Sequence, residues 1–143
     1  MRQWIKHTLL SACVLGTLPA FAAQVVDVSL WNKGGKMGVD VSAAPVHAGE
    51  VTFHVHNAST AMEHEMLVIR LNAQQIAHPD QLPYEQAAAR FNEEAVKDLG
   101  EVAELEPGAS GSLSVMLKPG TYELVCNVAG HYKAGLFTTI TVK

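Results

Sequence analysis

Gly120-Thr121-Tyr122-Glu123-Leu124-Val125-Cys126-Asn127-Val128-Ala129-Gly130-His131 follows Pro119, runs as a β-rich segment up to Cys126, and continues through four residues to His131. Segments of similar character lie to either side. Val25 to Leu30 is β-rich, and Val51 to His56 alternates apolar with polar residues. Met66 to Leu71 is an apolar run broken only by Arg70, and Leu113 to Leu117 and Phe137 to Val142 complete the set. Pro45, Ala48-Gly49, Pro107-Gly108 and Pro119-Gly120 separate these segments, as turn residues do. Short strands divided in this way predict an all-β chain, folded as a β-sandwich or small barrel.

Tyr84 to Leu99 reads differently. It lacks Gly and Pro, Ala88, Phe91, Ala95 and Leu99 recur at helical spacing, and Pro83 and Gly100 flank it as start and stop signals. The pattern predicts one amphipathic helix within an insertion covering about residues 72–106, whose partial removal should leave the remaining strands and any ligands they carry in place. No repeat or second domain is evident.

The N-terminus reads as a targeting segment. Arg2 and Lys6 precede an apolar run from Thr8 to Leu18, and Ala20-Phe21-Ala22 is an A-x-A cleavage site. This predicts a signal peptide over 1–22, a domain over 23–143, and an exported, periplasmic protein. The apolar run is shorter than the roughly 20 residues of a spanning helix, so no membrane insertion is expected. Leu10-Ser11-Ala12-Cys13 also resembles a lipoprotein signal, but too little apolar sequence precedes Cys13 to favour acylation. Without Arg2 and Lys6 the chain has 8 basic and 14 acidic residues, a formal net charge of −6. That balance argues against nucleic acid and anionic membranes and for a protein partner with a basic docking face.

Loss of Cys13 with the signal leaves one cysteine, Cys126. Exported proteins usually pair their cysteines, so an unpaired thiol is either buried and inert or occupied by something else. His131, five residues on, offers an imidazole from the same end of the strand. Sulfur and nitrogen together suit copper or zinc better than magnesium or calcium. His64, at the start of the Met66 to Leu71 run, is placed to be a third ligand, and two histidines with one cysteine form the trigonal set of blue-copper sites.

At these residues the chain resembles the cupredoxins. Pro119-Gly120-Thr121-Tyr122 followed by Cys126-x4-His131-x4-Leu136 is similar to their C-terminal ligand loop, with the longer spacing of rusticyanin and auracyanin rather than that of plastocyanin. Gly49-Glu50-Val51-Thr52-Phe53-x-Val55-x-Asn57, then His64-Glu65, is similar to the family's approach to its first histidine. The resemblance implies a Greek-key β-sandwich holding one copper ion through His64, Cys126 and His131. It covers the chain beyond residue 22 except the insertion. Leu136 departs from the pattern, because that position usually carries a methionine as weak axial ligand. Some members, laccase copper sites among them, have leucine there.

Other residues have a plain reading and a sharper one. His54 and His56 share one strand face, opposite Val51, Phe53 and Val55, and either line a wet surface or hold a second metal. His47 and His78 are weaker candidates. Met37, Met62 and Met66 flank the ligand regions; they are core filler or surface residues, or, for Met37, an axial ligand. Asn57 and Asn127 are expected to tie loops together by hydrogen bonds. Glu63 and Glu65 bracket His64, where solvation accounts for them unless one is a fourth ligand.

Three functions compete: a one-electron carrier serving a redox partner protein, a copper-binding protein for tolerance or delivery, and an enzyme. Catalysis needs an open coordination position, which Leu136 closes rather than opens. The reading favoured is a monomeric, non-enzymatic electron carrier.

Overall fold

Each β-rich segment forms a strand in the computed structural model, which describes residues 23–42 and 45–143. The signal sequence expected over 1–22, with Cys13, lies outside the described residues. The strands are β1 Gln24–Lys33, β2 Lys36–Val41, β3 Gly49–Asn57 and β4 His64–Arg70, then β5 Tyr84–Glu85, β6 Arg90–Phe91 and β7 Lys97–Leu105, then β8 Ser110–Leu117, β9 Gly120–Val125 and β10 Phe137–Val142. Two four-stranded sheets, ordered β2-β1-β3-β8 and β10-β9-β4-β7, face each other across the core. β1 and β3 pair in parallel, and the other pairings within the two sheets are antiparallel. The fold is the expected β-sandwich.

Period-two alternation sets which residues fill it. Val26, Val28 and Leu30 from β1 and Val51, Phe53 and Val55 from β3 meet Met66, Val68, Tyr122, Leu124 and Cys126 from the opposite sheet. β4 is buried on both faces, which explains its unbroken apolar sequence. Its outward residues Leu67 and Ile69 join Leu71, Val125, Leu82, Phe91 and Tyr132 in a second, smaller core. The chain between β4 and β7 covers that outer face.

The covering segment is not the helix expected over Tyr84 to Leu99. Tyr84 and Phe91 pair as a two-stranded hairpin, β5–β6, a 3-10 turn spans Glu93–Ala95, and Leu99 belongs to β7, which pairs with β4. Of the four residues at helical spacing only Phe91 is fully buried, while Ala88 and Ala95 are exposed. Two alanines bury too little apolar surface to hold a helix against the sheet, whereas β7 satisfies its backbone along β4. The α-helix found here is α1, Ala73–Ala77, started by an Asn72–Gln75 capping box.

Glu123 faces the second core. Its side chain is fully buried, and neither carboxylate oxygen has a hydrogen-bond partner. Burial, helped by Asp80, pushes its pKa from 4.5 up to about 8. Folded chains therefore keep a proton here that unfolded chains release, so the stability from this group is complete below pH 4.5 and falls as pH rises toward about 8. In denaturant titrations across this range Glu123→Gln should flatten the fall. Glu123→Leu should raise stability at alkaline pH by about 1–3 kcal/mol, the usual cost of an unpartnered buried polar group. An unchanged pH profile in both variants would mean that water reaches the carboxyl.

Candidate metal centre

β4 and β9 run antiparallel with Leu67 opposite Val125. This register brings inward-facing His64, at the start of β4, close to inward-facing Cys126, just past the end of β9. The ligand loop then folds back on itself. His131 N–H donates to Val128 O at 2.9 Å, Leu136 N–H to His131 O at 3.1 Å, and Cys126 N–H to Leu136 O at 3.0 Å. Gly135 takes φ +97°, where a side chain is strained, and a Cβ there would sit 3.3 Å from Met37 O. Glycine thus lets the loop close against the β1–β2 hairpin.

The result gathers all three proposed ligands. His64, Cys126 and His131 present donor atoms within 4.8 Å of one another, and all three side chains are buried. His64 Nδ1 lies 3.2 Å from His131 Nδ1, which lies 3.5 Å from Cys126 Sγ. An ion bound at about 2.0 Å by each nitrogen and about 2.3 Å by sulfur has donor–donor edges on the order of 3.2–3.7 Å. The two edges that meet at His131 therefore have the right length, the third is within 4.8 Å, and two imidazoles and one thiol suit a copper ion.

Electrostatics favour neutral donors. Burial, reinforced by His131 and opposed by a Glu63 backbone hydrogen bond, lowers the His64 pKa to about 4. Burial and then Arg90 lower that of His131. Burial raises the Cys126 thiol to about 11, against the pull of the Glu65 and Val128 backbone N–H groups. Both imidazoles are thus unprotonated at neutral pH, and the thiol must lose its proton on ligation.

A set of hydrogen bonds holds these donors. Asn127 Nδ2 donates to Phe91 O at 3.0 Å and to Glu93 Oε1 at 2.7 Å, while its Oδ1 accepts from Phe91 N–H at 2.8 Å. Asn57 Nδ2 donates to Met62 O and Leu105 O, and its Oδ1 accepts from Ser59 N–H, which fixes the approach to His64. Both asparagines therefore tie loops together as expected. Glu65 is not solvated as its sequence position suggested. It is buried, and its carboxylate accepts from Asn127 N–H at 3.0 Å while its own N–H points to Cys126 Sγ at 3.5 Å.

Tyr132 was missed in the sequence. Its hydroxyl donates to Pro79 O and accepts from Leu82 N–H, both at 2.8 Å, and its ring packs against Phe91 and Phe137. Its one signal was its place as an aromatic residue beside His131. Gly130 N–H also donates to Ala89 O at 2.7 Å. The covering segment therefore braces the ligand loop, although all three candidate ligands lie outside it as expected.

Leu136 is fully buried and Met37 packs against the main core. The Met62 sulfur accepts from Asn32 Nδ2 at 3.2 Å, and Met66 is core. His47, His54, His56 and His78 are exposed and stand outside the cluster.

No family model and no curated protein matches the chain. Solved structures do. Auracyanin B aligns over 91% of this chain and 94% of its own at 25% identity, with a TM-score of 0.60. Auracyanin A of Chloroflexus aurantiacus, a "blue" copper protein, aligns over 85% and 100% at 19% identity and 0.62. Rusticyanin from Thiobacillus ferrooxidans aligns over 83% and 76% at 17% identity and 0.61. The chain thus has the cupredoxin β-sandwich fold, with a His-Cys-His cluster suited to one copper ion.

Asn127→Ala removes three hydrogen bonds and leaves Phe91 N–H unpaired in a buried position. It should cost about 1–3 kcal/mol in urea unfolding of the metal-free protein. An unchanged midpoint would sink the bracing role.

Proposed function

We propose that this protein is an exported one-electron carrier that binds one copper ion through His64, Cys126 and His131. The observation that carries the reading is the unequal burial of the donor set. His64 and Cys126 are completely enclosed, while His131 keeps 8% of its surface exposed at the loop end of the sandwich. When bound, copper supplies one-electron redox chemistry between its two oxidation states. The chain's part is to hold the donors still and to keep water out.

The bracing supports both tasks. Asn127, Glu65 and the covering segment fix the loop from outside, and Leu136 and Met66 fill the interior with side chains that exclude solvent. His131 is flanked in the loop by Ala129, Gly130, Ala134 and Gly135, small residues that are exposed or half-buried and suited to brief contact with a redox partner protein. Copper tolerance or delivery requires ligands that exchange readily, which full enclosure of two donors disfavours. An enzyme requires an open position, which buried Leu136 does not provide. Among the described residues no helix is long and apolar enough to cross a membrane. Export rests on the targeting features of residues 1–22 and predicts an exported chain whose measured mass starts at Ala23.

Cys126→Ser removes the thiolate, so the copper(II) form should lose its intense visible charge-transfer band. Persistence of the band would overturn the ligand assignment.

A second test concerns the axial side. A long axial bond to a methionine sulfur adds electron density that a leucine cannot, and in the trigonal site that extra donor favours the oxidised ion, so Leu136→Met should lower the reduction potential by an amount on the order of tens of millivolts. Should Met37 already serve, Leu136→Met will change little while Met37→Leu raises the potential. Voltammetry of both variants decides between these, and an unchanged potential in each would mean that neither thioether tunes the site.

A further inference from the structure

The outward face of the β2-β1-β3-β8 sheet, which belongs neither to the core nor to the ligand loop, carries a second group of metal-ligating side chains. His54 and His56 sit two residues apart on β3 and are both exposed. Parallel pairing sets Asp27 of β1 beside His54 and Ser29 beside His56, and antiparallel pairing sets Ser110 of β8 beside His56. Asp40 of β2 lies opposite Ser29 in the same row. Together these residues line a depression of about 460 Å³.

Each imidazole already has a neighbour for one ring nitrogen. His56 Nδ1 lies within hydrogen-bond distance of Ser110 Oγ, at 3.0 Å, and His54 Nδ1 lies 3.6 Å from Asp27 Oδ1, an ion-pair distance rather than a hydrogen bond. Metal-binding histidines are commonly oriented in this way, with one nitrogen held by a carboxylate or other oxygen so that the second is free to ligate. Side chains at i and i+2 of a strand stand side by side on one face, on a backbone fixed by pairing along both edges. The rings lean toward opposite neighbouring strands, His54 toward β1 and His56 toward β8, so rotation of the side chains, without refolding, brings them onto one ion, and Asp27 and Asp40 supply negative charge beside it.

We propose that His54 and His56 form a second metal site, open to solvent and exchangeable, for a divalent ion of borderline softness such as Cu²⁺, Zn²⁺ or Ni²⁺, with Asp27 and Ser110 as positioning residues. Two nitrogen donors leave the remaining positions to water, so the ion comes and goes. Copper(II) binds most tightly of the three, because imidazole affinity peaks there among divalent first-row ions. The site is independent of the buried cluster and of the electron-carrier reading.

The test is a titration of the copper-loaded protein with further Cu²⁺, read by calorimetry and by electron paramagnetic resonance. One additional Cu²⁺ per chain should bind, with splitting from two imidazole nitrogens and no change in the visible band of the first site. His54→Gln or His56→Gln should each weaken this uptake by at least about tenfold, as should Asp27→Asn through loss of ring orientation. The same titration of Cys126→Ser should still show the second ion, which separates it from failure of the buried site. Absence of further uptake overturns the proposal. So does uptake that survives in the His54→Gln, His56→Gln double variant, since it would belong to other histidines.

Discussion

The pairing of β4 with β9 is the constraint on which the rest depends. It is a pairing of two strands at the centre of one sheet, buried on both sides, so a slip of one residue would turn each inward side chain outward. Its register brings His64 to Cys126, aligns the Glu65 carboxylate with Asn127 N–H, and sends the chain into the loop that returns His131. Burial of the outer face fixes the register as firmly as the main core does. Leu67, Ile69 and Val125 have their own apolar cover, so neither strand has a face that tolerates water.

Burial, more than charge, then determines what the site is. Desolvation is the largest influence on His64, Cys126 and His131 alike, and in each case it favours the uncharged form. A donor set of this kind suits a soft or borderline ion held in a dry cavity. Glu65 and Glu123 show the same influence on carboxyls, with different outcomes. Glu65 is matched to a backbone N–H and serves the ligand loop, whereas Glu123 is matched to nothing and its proton becomes part of the folded state.

Much of this was legible because the strands obey simple periods. Val51, Phe53 and Val55 alternate with Thr52, His54 and His56, and the alternation is the same in the folded sheet. Cys126 and His131 could be read together because four residues of loop leave little freedom. The covering segment resisted reading for a physical reason. Phe91 and Leu99 are both apolar, and at a separation of eight residues they fit a helix, but they serve different partners: Phe91 packs on Tyr132, and Leu99 lies in a strand paired with β4. No local pattern records such long-range partners. β2 escaped notice too, since Lys36-Met37-Gly38-Val39-Asp40-Val41 is held chiefly by its pairing with β1. Glu65 was misjudged because its partner, the Asn127 N–H, lies 62 positions further along the chain.

The contacts from Ala89, Phe91 and Glu93 to Gly130 and Asn127 bear on how modular this protein is. Its metal-binding loop is continuous in sequence but not in mechanics, because part of its support comes from a hairpin and turn some 40 residues earlier. Residues 126–136 are therefore not a self-contained cassette. Transplanted alone onto another sandwich, they would arrive without the backbone groups that hold them, and descent with change in this fold would be expected to alter the two segments together.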